Sequence, residues 1–228
     1  MKQGLLPLVT KEDFSLASWV VAPCNEAAYR WVLAASGASS HEPQMAYVWG
    51  TSGTGKTHLA HIFARAAQGV YATPESLIRQ WGTSARKGVD AVSADVWVLD
   101  ALESGEEAWL FDAFNLLKER GCSVLWLSRH DPTFWQESLA DLASRFQSLP
   151  RFQLSHPDDD TARRLFTKWL HDDGVRIADN ALTYLLARIP RDIETLRLWV
   201  RLLDEASTLH HRSLTLAFVR EVLSKEVS

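Results

Sequence analysis

The stretch Ala46-Tyr47-Val48-Trp49-Gly50-Thr51-Ser52-Gly53-Thr54-Gly55-Lys56-Thr57 decides how the rest of this chain is read. An apolar run ends in three closely spaced glycines, and a helix-like stretch, His58–Ala67, follows. Counted from Gly50, the spacing is G-x-x-x-x-G-K-T, the pattern of a phosphate-binding loop. Gly50, Gly53 and Gly55 let backbone N–H groups turn inward and meet phosphate oxygens without a Cβ in the way. The start of the following helix adds partial positive charge. Lys56 can reach the β- and γ-phosphates, and the Thr57 hydroxyl can ligate Mg²⁺. The spacing therefore predicts a nucleoside di- or triphosphate site made of Gly50, Thr51, Ser52, Gly53, Thr54, Gly55, Lys56 and Thr57.

A second stretch supports the first. Val96-Trp97-Val98-Leu99-Asp100 reads as a buried parallel strand with an acid where the strand ends. In phosphate-loop proteins such an Asp holds Mg²⁺, directly or through water, so Asp100 joins the nucleotide and metal set. Many hydrolysing relatives carry another acid at the next position, which here is Ala101. Glu103 lies two residues further on. Slow or partner-dependent hydrolysis is the expectation.

Composition sets the outer limits. The 228 residues suffice for one large domain, or one domain and an appendage, with a full core. A net charge of −4 argues against a broad basic footprint for DNA. Cys24 and Cys122 are far apart and lack metal-ligand spacing, which suits a reducing, cytoplasmic compartment. No apolar run approaches the ~18–20 residues that span a bilayer, so no membrane partner is expected. The ten tryptophans are scattered over helix and strand positions, as core or interface packing requires, and form no platform for bases.

Along the chain, Gln3-Gly4-Leu5-Leu6-Pro7-Leu8 is a short apolar peptide with a rigid Pro. The residues alone allow an edge strand, a tail, or a linear docking peptide whose leucines fill a preformed pocket. Helical patterns occupy Asn25–Ala35, Thr73–Trp81 with Thr as cap, Glu106–Arg120 and Leu139–Phe146. Strand patterns occupy Val70–Ala72, Ser123–Leu127 and Phe152–Leu154, and Gly82–Gly88 reads as a loop. The alternation predicts a five-stranded parallel sheet flanked by helices. After Pro157 the pattern is all helical, over Asp158–Asp173, Asn180–Ile189, Ile193–Ser207 and Leu214–Ser224. The expected units are residues 1–12 as an N-terminal peptide, 13–156 as the α/β domain and 157–228 as a small all-α lid.

A phosphate-loop α/β domain followed by a helical lid resembles the AAA+ arrangement. Within it the chain resembles the DnaA branch, and specifically the Hda family of regulatory inactivators of the replication initiator DnaA. Asp141-Leu142-Ala143-Ser144-Arg145-Phe146 is similar to the family segment whose arginine acts as a finger in trans, which implies that role for Arg145. Leu203–Ser207 and Leu214–Val219 are also Hda-like, and Gln3, Leu5, Leu6, Pro7 and Leu8 resemble the family's sliding-clamp-binding peptide. The resemblance implies ADP or ATP with Mg²⁺ as ligands. It implies DnaA and the DNA polymerase III sliding clamp (beta subunit) as partners. DNA is met mainly through the clamp, and assembly into a homo-oligomer is left open. The implied activity is stimulation of ATP hydrolysis on DnaA, which leaves it as inactive ADP–DnaA. A stand-alone AAA+ ATPase or loader and a non-catalytic DnaA-binding adaptor are the alternatives.

Three positions depart from the family. Besides Ala101, Arg129 stands where DnaA relatives carry an Asp after the fourth core strand. Glu194 stands where the family has a lid arginine facing the nucleotide, and a carboxylate there repels phosphate at close range. Arg191 and Arg197 are the expected substitutes, unless lid contact is weak.

Overall fold

The computed structural model describes residues 14, 16, 18–36, 42–136 and 140–226. The Gln3–Leu8 peptide lies outside the described residues.

Five parallel strands form one sheet in the order β2-β3-β4-β1-β5. They are β1 (Met45–Trp49), β2 (Val70–Ala72), β3 (Val96–Leu99), β4 (Ser123–Ser128) and β5 (Arg151–Gln153). The central pair is β1 with β4, registered from Met45 opposite Val124 to Trp49 opposite Ser128. Both strands are almost continuously apolar because each is covered on two faces.

The period-2 alternation divides the core. Tyr47, Trp97, Leu99, Val124 and Trp126 point to one face. There they meet α3 (Pro74–Trp81), α4 (Ala85–Asp90), α5 (Glu107–Glu119) and α6 (Ala140–Ser148). Ala46, Val48, Val98, Leu125 and Leu127 point to the other, against α1 (Glu26–Ser36) and α2 (Lys56–Ala66). Trp97 and Trp126 are fully buried, and the indole nitrogen of Trp126 has no hydrogen-bond partner. Trp97 donates from Nε1 to Ala94 O at 3.0 Å, and both rings pack the core, as the scattered positions suggested.

The segment Gly82–Gly88, expected as a loop, is corrected by α4. That helix is only six residues long and carries Gly88, so it is too short to show a periodicity. It exists because Ala85, Gly88 and Val89 are buried beside α3 and α5. Arg120, just past α5, also pairs with Asp90 at its end.

Among the described residues four helices follow β5: α7 (Asp159–Asp172), α8 (Asp179–Leu186), α9 (Ile193–His210) and α10 (Leu216–Glu226). They share a core of their own, with Phe166, Leu185, Leu196, Leu203 and Val219 at its centre. This is the expected all-α lid. Asp158 and Asp192 cap α7 and α9, accepting from Thr161 N and Thr195 N at 2.8 Å each. No helix among the described residues is long and apolar enough to cross a membrane.

Candidate functional site: a phosphate-loop cleft closed by the lid

The loop between β1 and α2 has the backbone its glycines foretold. Gly53 and Gly55 adopt φ of 73° and 93°, a region L side chains rarely enter. Gly50 is constrained by space instead. A Cβ there would lie 2.3 Å from the Leu154 carbonyl oxygen and 2.9 Å from Thr54 Oγ1. Gly50→Ala is therefore expected to push β1 and the start of the loop away from the chain after β5. That overpacking costs about 2–3 kcal/mol. Thermal unfolding should show a melting temperature lower by ~5–10 °C.

Lys56 begins α2 and is buried, with its Nζ donating to Gly50 O at 2.6 Å and Thr51 O at 2.8 Å. Burial lowers the pKa of its ammonium, and Arg129 adds to that; Asp100, Glu103 and Glu194 pull it back up. Thr57 follows on the same turn and donates from Oγ1 to Asp100 Oδ2 at 2.9 Å. Asp100, buried just past β3, is thus joined to the phosphate loop as its place at a strand end suggested. The two carry the hard oxygen donors that Mg²⁺ prefers, but Asp100 Oδ2 already accepts from both Thr57 and Tyr71. Among the described residues no cluster of three or more His, Cys, Asp or Glu side chains is arranged for a metal alone.

Three features could not be read from the spacing. Glu103 turns to the end of β4, where its carboxylate accepts from Ser128 Oγ and the Arg129 backbone N–H. Both donors meet Oε1, which holds the carboxylate against the end of β4. Tyr71, on β2, donates its hydroxyl to Asp100 Oδ2 at 2.9 Å. Burial, followed by the charge of Asp100, raises the pKa of that phenol, which keeps it a donor. Ala101 sits at φ 54°, and its N–H meets Asp100 Oδ1 at 2.7 Å.

The lid closes directly on the loop. Ile193 N donates to Gly53 O at 2.9 Å, and a Cβ on Gly53 would come within 2.9 Å of the Asp192 Cβ. Glycine at position 53 thus serves the lid as well as the loop. Lid contact is close, against one of the expectations above. Together these elements line a cleft of about 420 Å³ that includes Lys56, Thr57, Asp100, Arg129 and, from α9, Glu194, Arg197 and Arg201. Arg191 does not line it and pairs with Asp159 instead. Arg197 stacks on Trp169, 4.5 Å from the ring centroid. Arg201 was missed because its relation to Glu194 is seven positions, two helical turns, and shows only once α9 is oriented.

Arg145 lies elsewhere. It is on α6, its guanidinium 4.7 Å from the Phe111 ring centroid and 5.6 Å from that of Phe114. It lines a second cleft of about 410 Å³ with Pro43, Met45, Gly121 and Cys122. Those residues precede or begin β1 and β4, so Arg145 is at the opposite end of the sheet from the phosphate loop. The four steps along β1 alone measure roughly 13 Å.

Residues 159–223 match the family described as Hda, lid domain. An uncharacterized protein of Haemophilus influenzae is 30% identical over 189 residues, covering 78% of this chain and 80% of that one. Domain III of the replication initiation protein DnaA from Thermotoga maritima superposes with a TM-score of 0.78 at 21% identity. That match covers 93% of this chain and 96% of the other. The AMPPCP-bound DnaA of Aquifex aeolicus gives a TM-score of 0.75 at 20% identity, over 93% of this chain and 69% of that one. The chain thus carries an Hda-type lid over residues 159–223, on a fold that it shares with DnaA.

Proposed function

We propose that this chain binds an adenine nucleotide in the loop–lid cleft and regulates DnaA, stimulating hydrolysis of the ATP that DnaA holds. One observation carries the reading: the phosphate loop and Arg145 stand at opposite ends of one sheet. An arginine so placed serves a nucleotide on another molecule better than its own. The DnaA of Aquifex aeolicus, whose fold this chain shares, is described with AMPPCP bound. That description supports a nucleoside polyphosphate as ligand here.

On this reading Lys56 and the loop N–H groups hold the phosphates. Thr57 would face any Mg²⁺ that accompanies the phosphates, which neutralises their charge when bound, with Asp100 behind it. Arg197 and Arg201 stand in on α9 for the lid cation that Glu194 replaces. With Ala101 in place of an acid and Glu103 turned to β4, the chain's own nucleotide is retained and sets the lid. Arg145 enters the site on DnaA. Residues 1–12 form the peptide that docks on the polymerase III sliding clamp, 13–156 the nucleotide-binding domain and 157–228 the lid. The product is ADP–DnaA, and the setting is the cytoplasm.

The test is a reconstituted hydrolysis assay with ATP–DnaA, clamp-loaded DNA, ADP and this protein. The ADP:ATP ratio on DnaA should rise only when all are present. An unchanged ratio refutes stimulation and leaves the adaptor reading. Turnover by this protein alone, lost in Lys56→Ala, would favour the stand-alone ATPase. The docking part is tested separately. Leu6→Ala combined with Leu8→Ala should weaken retention on the clamp at least tenfold, an effect of about 1.4 kcal/mol or more. Unchanged retention in a pull-down would remove the clamp from the scheme.

A further inference from the structure

The carboxylate of Asp100 is more fully engaged than a metal-holding acid requires. Its Oδ2 accepts from Thr57 Oγ1 and from Tyr71 Oη, both at 2.9 Å. Its Oδ1 accepts from Ala101 N at 2.7 Å. A carboxylate offers about four acceptor positions, so about one is left. The two hydroxyls are not equivalent. Thr57 can keep donating to Asp100 while its own oxygen faces a cation. Tyr71 cannot: its neutral phenol fills the second acceptor position of Oδ2, the oxygen beside Thr57, and the position left over is on Oδ1.

The ring is also held in place. Tyr71 pairs with Val98 in the sheet, and its ring stacks on His61 with centroids 4.3 Å apart and planes at 24°. His61 stacks in turn on Phe14, with centroids 4.6 Å apart and planes at 21°. Withdrawing the phenol from Asp100 means moving a stacked column. The same cleft meanwhile carries four basic side chains, Lys56, Arg129, Arg197 and Arg201, against three carboxylates, Asp100, Glu103 and Glu194. The surplus is one positive charge, which meets part of the phosphate charge without an ion.

We propose that Tyr71 is a positioning residue that keeps the Asp100 carboxylate from a divalent cation. This chain then takes a nucleoside diphosphate with little dependence on Mg²⁺. The proposal rests on the nucleotide-binding reading above.

Calorimetric titration of the full chain with ADP, once in Mg²⁺ and once in EDTA, tests it. Wild-type affinity should differ less than about threefold between the buffers. Tyr71→Phe keeps the ring and its stack but frees an acceptor, and should bind at least tenfold tighter in Mg²⁺ than in EDTA. A wild-type ratio of tenfold or more, or an unchanged ratio in Tyr71→Phe, overturns the proposal. A second readout needs no variant. Mn²⁺ followed by paramagnetic resonance should bind the wild-type ADP complex no more tightly than it binds free ADP. Tenfold tighter binding refutes the proposal. Wild type that fails to bind ADP in either buffer refutes the nucleotide reading, and this one with it.

Discussion

Arg145→Ala is expected to lower stimulated hydrolysis on DnaA by about 10³-fold or more while this protein's own ADP affinity stays unchanged. The magnitude follows from what a guanidinium does beside a transferring phosphoryl group. It neutralises charge that develops in the transition state, an effect of 10³–10⁵ in rate for such fingers. That corresponds to roughly 4–7 kcal/mol. The packing it gives up is far smaller. Arg145 rests over Phe111 and Phe114, and a partly exposed contact of that kind contributes about 0.5–1 kcal/mol. Lost fold stability therefore cannot account for a thousandfold change. Single-turnover hydrolysis of ATP on DnaA, run beside an ADP titration of the variant, checks both halves. Equal losses in the two would mean that Arg145 only supports α6.

Lys56→Ala is expected to weaken ADP binding by about a hundredfold or more with the fold retained. The Lys56 ammonium is already stripped of much of its water and held by two carbonyls of the loop. Charge-assisted bonds to phosphate in such a site are about twice as strong as neutral ones. Losing ~2.7 kcal/mol of them is a hundredfold in affinity. The fold is spared because burying this cation is itself a cost, as its lowered pKa records. Between that lowered value and the ordinary one of 10.5, the unfolded chain holds more proton than the folded chain. Stability contributed by this group therefore rises with pH across that window. Removing the cation leaves Gly50 and Thr51 carbonyls at a cleft open to water. A calorimetric titration gives the affinity, and thermal unfolding should show a melting temperature within a few degrees of wild type.

How much of this was legible before the structure depends on the length of the signal. The phosphate loop is legible because its glycines have no other economical conformation, and Gly53 and Gly55 indeed take positive φ. The strands at Val96 and Ser123 are legible because a strand covered on both faces must be apolar throughout. Their order in the sheet is not, since parallel strands of similar composition carry no mark of their neighbours. The helix Ala85–Asp90 is too short for a period. Tyr71 looked like an ordinary strand residue, and its bond to Asp100 spans 29 positions of chain. Glu103 is visible in the sequence as an acid near Asp100, but its turn toward Ser128 and Arg129 depends on the 3₁₀ segment Leu102–Ser104. Side chains that meet across the sheet become visible only when register and loop geometry are both set.

The bond from Ile193 N to Gly53 O joins the loop to the first residue of α9. That helix has 18 residues and is therefore about 27 Å long. Fixed near one end, it behaves as a lever whose fulcrum is the phosphate loop. A tilt of about 5° at Gly53 displaces its far end by about 2 Å over that length. The ridges and grooves of a packed surface are of that scale. A small change of loop backbone would thus reach the remote face of the lid as a shift large enough for another protein to distinguish.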